Sequence, residues 1–290
     1  MNDARGRSQN DTRGKFENDA RAEFERVART PDPEIDLAEA ALWIAAEEYP
    51  GLDVAGYLAR LDDLAHDAAP GFESATSLRE QVAALNRFLF DEQRFSGNAG
   101  HYYDPRNSYL NEVIDRRCGI PISLALVYMA VGQRLSLDVR GLSFPGHFLV
   151  KCIGEEEILV DAFAGTLISR EACQERLRAA IGRDVPITRD VLRAASPREI
   201  LVRMISNLKQ IFVQGRDFER ALSCCERILL LTPDAASELR DRAGVYAQLG
   251  FLSAAAADLD RFVEISPDDP FAPVARRQRD ALRRRAGPLH

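Results

Sequence analysis

The sequence predicts an α+β fold joined to an all-helical C-terminal domain. In the middle of the chain, a strongly apolar helical stretch is followed by short segments in which apolar and polar residues alternate, as they do in strands. Near the C-terminus, Pro233 and Pro267 mark a pattern that repeats after 34 residues. A chain of 290 residues has room for about two domains. We expect a flexible segment over 1–32, a mixed domain over 33–185 and a helical domain over 186–290.

The mixed domain is predicted to begin with helices. Residues 1–32 are mostly polar or charged, which favours a flexible segment. Apolar residues then recur at helical spacing over 37–49, over 53–66 and from about residue 77 onwards. Asp36 is placed to cap the first of these helices. We therefore expect three amphipathic helices that pack together ahead of the apolar stretch.

The apolar stretch, residues 121–135, is predicted to be a central buried helix. Pro121 suits the first helical position, because the N–H that proline lacks would be unpaired there. Downstream, residues 138–143, 147–152 and 158–161 have the composition and alternation of strands. This order predicts one buried helix packed on a small sheet.

Three residues with catalytic chemistry border these elements. Cys118 precedes the apolar helix, His147 opens the second predicted strand and Asp161 ends the third. A thiolate is stabilised near a helix N-terminus, an imidazole can take its proton, and a carboxylate can orient the imidazole, as in acyl transfer at amides. A structural role also fits His147 and Asp161, because a buried hydrogen-bonded pair can hold two strands together without catalysis.

Several short motifs follow one another around these residues. They read F-S-G-N at 95–98, Y-D-P at 103–105, G-I-P-I-S-L at 119–124 and F-P-G-H-F-L-V-K at 144–151. In this order they resemble the SirB-type branch of the transglutaminase-like proteins, which are distant members of the papain-like group. The resemblance implies a helical N-terminal subdomain and a papain-like core with a small antiparallel sheet. It also implies that His147 and Asp161 occupy the family's His and Asp positions.

One position departs from the pattern of the active relatives. In those proteins the nucleophilic Cys follows a Gly-aliphatic pair at the start of the central helix, whereas here Gly119 and Ile120 are followed by Pro121. Cys118 lies three residues too early for that position. Three hypotheses stay open: a fold that does not use thiol chemistry, Cys118 as a displaced nucleophile, or a role for Ser123, for which a capping hydroxyl is the simpler interpretation. We favour the first.

The C-terminal region contains two copies of the 34-residue pattern. They cover about 199–233 and 235–267, and a closing helix is expected at about 270–285. The pattern resembles the tetratricopeptide repeat, whose grooves bind peptide segments or helices of other proteins. This resemblance implies a protein or peptide partner.

Composition narrows the other partner and cofactor classes. A net charge of −7 and a pI near 5.3 argue against a general nucleic-acid binder, and the basic run 276–285 is more simply a solvated capping face than an anion-binding site. The longest apolar run, 120–132, is too short to cross a bilayer, so no membrane partner is predicted. Four His predict no metal site, and no cofactor is expected. Five Cys without a C-x-x-C pair predict a reduced, cytoplasmic protein.

These observations predict a cytoplasmic factor that binds or scaffolds other proteins and has a degenerate nucleophile site. The alternative is a cysteine-dependent hydrolase or acyl transferase acting on amide or isopeptide bonds. In that alternative Cys118 attacks, His147 serves as general base and then acid, and Asp161 orients His147.

Overall fold

The computed structural model describes residues 19–286. None of the helices in this range is both long and apolar enough to span a membrane. Two compact units divide the chain, a core unit that ends at Leu201 and a repeat unit that begins at Val202. The division falls inside a helix, Pro197–Gln214, and so lies downstream of the boundary expected after residue 185.

Helices account for most of the core unit. They are α1 (19–29), α2 (Leu37–Glu48), α3 (Val54–Glu73), α4 (Leu78–Asn86), α5 (Leu110–Arg116), α6 (Pro121–Arg134) and α7 (Arg170–Ile181). The three predicted helices correspond to α2, α3 and α4, and the Asp36 side chain caps α2 as expected by accepting two backbone N–H groups. The predicted end of the second helix is wrong, because α3 continues through Pro70 to Glu73. Its apolar face stays buried as far as Phe72, and this packing offsets the hydrogen bond that the proline lacks.

Part of the segment expected to be flexible is helical. Ala20, Phe24 and Val27 are buried along one face of α1, at the spacing of an amphipathic helix. These three side chains anchor α1. Residues 1–18, to which the same expectation applied, lie outside the described residues.

The strands are short. They are β1 (Ser96–Gly97), β2 (Cys118–Gly119), β3 (Asp138–Leu142), β4 (Leu149–Ile153), β5 (Glu157–Asp161) and β6 (Thr166–Leu167). Strands β3 to β6 form one antiparallel sheet in chain order, which confirms the predicted small sheet. Helix α6 packs on β3 and β4, and residues 121–132 are all buried, as predicted for a central helix.

A parallel pair formed by β1 and β2 was not predicted. Cys118 lies opposite Ser96 in this pair, and two-residue strands are too short to produce a periodic pattern in the sequence. Gly97 is required there, because a Cβ at this position would lie 2.6 Å from Phe163 Cδ2. The pair therefore holds Cys118 close to the turn that follows β5.

The repeat unit, with the helix that leads into it, is wholly helical over its described residues. The helices are α8 (Pro197–Gln214), α9 (Phe218–Leu231), α10 (Ala236–Gln248), α11 (Leu252–Ile265) and α12 (Ala272–Ala286). Consecutive helices from α9 to α12 pack together, and Ala221 and Ala255, 34 residues apart, are fully buried. Arg279 and Arg283 of α12 pair with Asp260 of α11, so part of the basic run 276–285 is used inside this unit.

Candidate functional site

The structure brings His147 and Asp161 together. Asp161 ends β5, and its Oδ1 lies 2.9 Å from His147 Nε2. The prediction that His147 opens a strand is wrong, because the turn at Pro145 extends through His147 and strand pairing begins only at Leu149. The imidazole is thus held at the end of the sheet by the buried carboxylate.

Asp161 is the centre of a closed network. Its side chain is 1% exposed, and Oδ1 also accepts the backbone N–H groups of Phe163 and Ala164 at 3.0 and 3.2 Å. Oδ2 lies 2.6 Å from Arg176 Nη1, a contact with ion-pair distance but without hydrogen-bond alignment. Burial by itself would raise the pKa of Asp161, but the bond to His147, the backbone donors and Arg176 together lower the pKa below its usual value. The carboxylate is therefore kept ionised and fixed in place.

The start of α6 holds no nucleophile in reach of solvent. Pro121 is its first residue, and Ser123 is fully buried in the first turn. Ser123 Oγ accepts the Ile120 N–H at 3.1 Å and lies 2.6 Å from the Asn107 carbonyl oxygen, to which it donates. This hydroxyl therefore caps α6 and ties it to the preceding loop.

Cys118 and His147 lie in neighbouring segments. Cys118 is in β2, β1 packs against Phe163, and the Phe163 ring centroid lies 6.3 Å from that of His147. Among the described residues, no hydrogen bond joins the Cys118 thiol to His147 or Asp161. The structure therefore joins two members of the predicted trio and leaves the third, Cys118, without a hydrogen bond to either.

Cys118 also differs from the other thiols in its exposure. It is partly exposed, whereas the other four Cys are buried, and none of the five forms a disulfide. Burial raises the pKa of Cys152 to about 12 and also raises the pKa values of Cys173 and Cys225. Cys118 is thus the thiol that a solvent-borne electrophile reaches first.

Within residues 19–286, no cluster of three His, Cys, Asp or Glu side chains is arranged to bind a metal ion. The chemistry available around His147 is proton transfer, with Asp161 orienting the ring.

A second candidate surface is a groove in the repeat unit. Its volume is about 1080 Å³, and α8, α10 and α12 provide most of its lining. Four cationic side chains line it, with one carboxylate, Asp241. The four cations are Lys209, Arg216, Arg240 and Arg285. Four glutamines and the exposed side chain of Val213 complete much of the surface, so the groove offers charge, amide hydrogen bonds and an apolar contact.

Comparison with known families agrees with this architecture. A model of the transglutaminase-like superfamily matches residues 55–206, which include nearly all of α3, the elements from α4 to α7 and the His147–Asp161 pair. The chain belongs to the transglutaminase-like superfamily. A tetratricopeptide-repeat model matches residues 208–285, where the structure has its helical repeats.

Relatives of this transglutaminase-like chain are found in several bacteria. A UPF0162 protein of Xylella fastidiosa is 41% identical over 81% of this chain and 86% of its own length. A UPF0162 protein of Pseudomonas aeruginosa is 36% identical over the same shares. Protein SirB1 of Salmonella typhimurium is 26% identical over 84% of this chain and 90% of its own length. The SirB-type resemblance is thereby confirmed, and no solved structure matches the chain significantly.

Sequence reasoning missed one residue of the transglutaminase-like site, Arg176. It lies on α7, after the last predicted strand, and its side chain reaches back to Asp161. Helical spacing places Arg176 on α7 but gives no sign of its partner. Only the packing of α7 against the sheet could reveal it.

Proposed function

We propose that this chain is a non-catalytic protein-binding factor with a scaffolding or regulatory role, built on a transglutaminase-like core whose nucleophile site is degenerate. The observation that carries the proposal is Pro121 at the first position of α6, where the family resemblance implies a Cys in active members. A proline side chain cannot supply a nucleophile. The closed network around Asp161 supports a structural role for the retained His147–Asp161 pair.

The partner is proposed to be a peptide segment of another protein, bound in the repeat groove. Of the groove cations, Lys209 is paired with Glu238 and Asp241, whereas Arg216 and Arg285 have no ion pair among the described residues. In a chain of net charge −7, this local excess of positive charge favours a segment that carries carboxylates. The glutamine amides can form hydrogen bonds with the backbone N–H and C=O groups of a bound peptide, independently of the peptide's side chains.

The test is photo-crosslinking in cells from a residue inside the groove. With p-benzoylphenylalanine in place of Val213, we expect adducts with a small set of polypeptides, reduced when Arg216→Glu is added. The matched control carries the same group in place of Phe251, an exposed residue of the repeat unit that does not line the groove. Equal adduct patterns from the two positions would show that the groove is not the binding surface.

The second candidate function is a cysteine-dependent amide or isopeptide hydrolase or acyl transferase. The observation that favours it is the 2.9 Å contact between His147 and Asp161, which is the geometry that a general base requires. In this mechanism Cys118 loses its proton to His147 and attacks a carbonyl carbon. Cys118→Ala would then abolish turnover of an amide substrate and leave the thermal unfolding curve unchanged.

We also propose a cytoplasmic location, with neither nucleic acid nor membrane as partner. The five unpaired Cys support a reducing compartment. The net charge of −7 disfavours binding to polyanions such as nucleic acids or anionic lipid surfaces. Localisation of the fluorescently tagged full chain tests the compartment, and recovery of the chain in an exported fraction would contradict it.

A further inference from the structure

A pocket in the core unit is used by neither the repeat groove nor the His147–Asp161 pair. Its volume is about 490 Å³, within the range of roughly 300–1,000 Å³ that is usual for small-ligand sites. The loop that follows β1 forms most of it, and Arg116, the last residue of α5, closes one side. We refer to it as the Arg116 pocket. The residues that line it are Asn98, Gly100, His101, Tyr102, Tyr103, Asp104, Arg106 and Arg116.

Hydrogen bonds from the Asn107 side chain hold the loop of the Arg116 pocket in place. This side chain is fully buried, and its amide nitrogen donates to the carbonyl oxygens of His101 and Tyr102 at 2.7 and 3.3 Å. Its Oδ1 accepts from the Asn98 amide at 3.1 Å, while its backbone oxygen accepts from Ser123 of α6. The pocket is therefore preorganised, and a ligand does not have to order it on binding.

The two arginines of the pocket differ in their partners. Arg106 is neutralised by Asp104, whose carboxylate receives its Nε and Nη2 at 3.0 and 2.7 Å. Arg116 has no comparable partner. Its Nη1 is buried without a hydrogen bond among the described residues and makes only a long ion pair, 4.0 Å, with Glu112. Its Nη2 donates a long hydrogen bond of 3.5 Å to Asn107 Oδ1.

A buried guanidinium N–H without an acceptor costs free energy, so Arg116 gains more from a new acceptor than Arg106 does. A planar carboxylate fits the forked donors of Arg116 better than a chloride or a water does. The positive charge of Arg116 is therefore the part of this pocket that selects its ligand.

Aromatic rings form the outer wall. Tyr102 and Tyr103 are 39% and 61% exposed, and their rings meet edge to face with centroids 5.4 Å apart. Tyrosine offers a rigid, amphipathic contact surface at a low cost in conformational entropy, as at many peptide-binding sites. The other edge of Tyr102 faces Phe163, whose ring contacts His147.

We propose that the Arg116 pocket binds a peptide carboxylate. Arg116 pairs with the carboxylate, and the two tyrosine rings contact the adjoining residue of the peptide. The carboxylate comes either from a peptide C-terminus or from an Asp or Glu side chain. Because Phe163 contacts both Tyr102 and His147, the bound peptide lies near the His147–Asp161 pair.

The test is an NMR titration of the full chain, labelled with ¹⁵N, with three small probes. N-acetyl-Ala-Phe as the free acid offers a C-terminal carboxylate, N-acetyl-Glu-Phe amide offers a side-chain carboxylate, and N-acetyl-Ala-Phe amide offers none. We expect at least one acidic probe to bind saturably, at least about tenfold more tightly than the uncharged amide. The shifted resonances should lie in residues 98–106 and at Arg116. The acidic probe that binds more tightly identifies the source of the carboxylate.

Arg116→Gln should weaken binding of that acidic probe at least about tenfold, since the charge-assisted pair is lost. The matched control is Arg79→Gln, which removes an exposed arginine that pairs with Glu156 at the surface and should leave binding unchanged. Thermal unfolding checks that both variants are folded. If Arg116→Gln does not fold, the comparison of acid with amide in the unaltered chain decides the matter.

Four results with the peptide probes would overturn the proposal. They are equal affinity for the amide and acid probes, shifts confined to residues outside the pocket, full affinity in a folded Arg116→Gln variant, and no saturable binding of either acid up to about 10 mM. Inorganic phosphate serves as a competing probe. If it shifts the same resonances at lower concentration than both acids, the pocket is a phosphate site and the proposal is wrong. Photo-crosslinking from the repeat groove is unaffected by any of these outcomes.

Discussion

The His147–Asp161 site and the repeat groove use charged side chains in opposite ways. In the core unit, the Asp161 carboxylate is buried and surrounded by donors from His147, Arg176 and the backbone. In the repeat unit, Arg216 and Arg285 line an open groove and have no ion pair among the described residues. In the core site the charged groups pair with one another and stabilise the fold. In the groove, Arg216 and Arg285 remain available to pair with a partner.

This difference predicts which measurement should respond to substitutions at each site. A site whose polar groups satisfy one another resists removal of any member, because a buried charge is left without its partner. When a charged residue without an ion pair is substituted at a surface, the fold is unaffected but binding of a charged partner is weakened. Stability measurements should therefore respond to the core site, and binding measurements to the groove.

The largest stability effect is expected from Asp161→Ala. It leaves Arg176 without its ion-pair partner and two backbone N–H groups without their acceptor, which should cost on the order of 3–5 kcal/mol. Chemical denaturation of the full chain measures the loss. The control is Asp62→Ala, because Asp62 is 66% exposed and pairs with Arg134 at the surface, so a change below about 1 kcal/mol is expected. Similar losses in the two variants would remove the distinction between the regions.

The same carboxylate should make stability depend on pH. Because folding lowers the pKa of Asp161, its contribution is fully present above its unfolded pKa of about 3.9 and is lost as the pH falls through the lower folded value. The difference in unfolding free energy between the natural chain and Asp161→Asn should therefore be constant near about pH 7 and shrink below about pH 4. A difference that grows on acidification would contradict this sign.

Overpacking the repeats should have an intermediate effect. Ala255 of α11 is fully buried, and Ala255→Leu should destabilise the chain by about 1–3 kcal/mol. Ala257 is exposed on the same helix, so Ala257→Leu should change stability by less than about 0.5 kcal/mol. Thermal denaturation of both variants makes the comparison. Equal effects would mean that Ala255 is not at a close helix crossing.

The smallest effect is expected from Cys118→Ala. Cys118 is partly exposed and its thiol makes no hydrogen bond among the described residues, so a change below about 1 kcal/mol is expected. Calorimetry of the full chain measures it. A loss of several kcal/mol would show that the thiol is part of the packed core and not a surface group.

Local signals in the sequence predicted much of the fold. Asp36 was expected to cap a helix and does so, and the predicted 34-residue period relates Ala221 to Ala255, both of which are buried. These signals depend on neighbours along one helix. They can therefore be recognised without knowledge of the tertiary structure.

The features that were not predicted depend on contacts between residues that are far apart in the sequence. The helix passes through Pro70 because its far end is packed, the β1–β2 pair depends on the approach of Gly97 to Phe163, and Arg176 reaches Asp161 across the sheet. The pairing of His147 with Asp161 was anticipated from strand order, although His147 lies in the turn before the strand. The residue types of the site could thus be predicted from the sequence, but the contacts around them could not.

The most direct test of the central claim, that the core does not use thiol chemistry, is the pH dependence of iodoacetamide labelling at each Cys, resolved by mass spectrometry, with and without His147→Ala. Cys118 should label faster than the four buried thiols simply because it is exposed, so its rate alone decides nothing. We predict that the pH profile of Cys118 is the same in the His147→Ala variant. A Cys118 that labels rapidly below about pH 7 and slows at least about tenfold in His147→Ala would contradict it and make the cysteine enzyme the leading function.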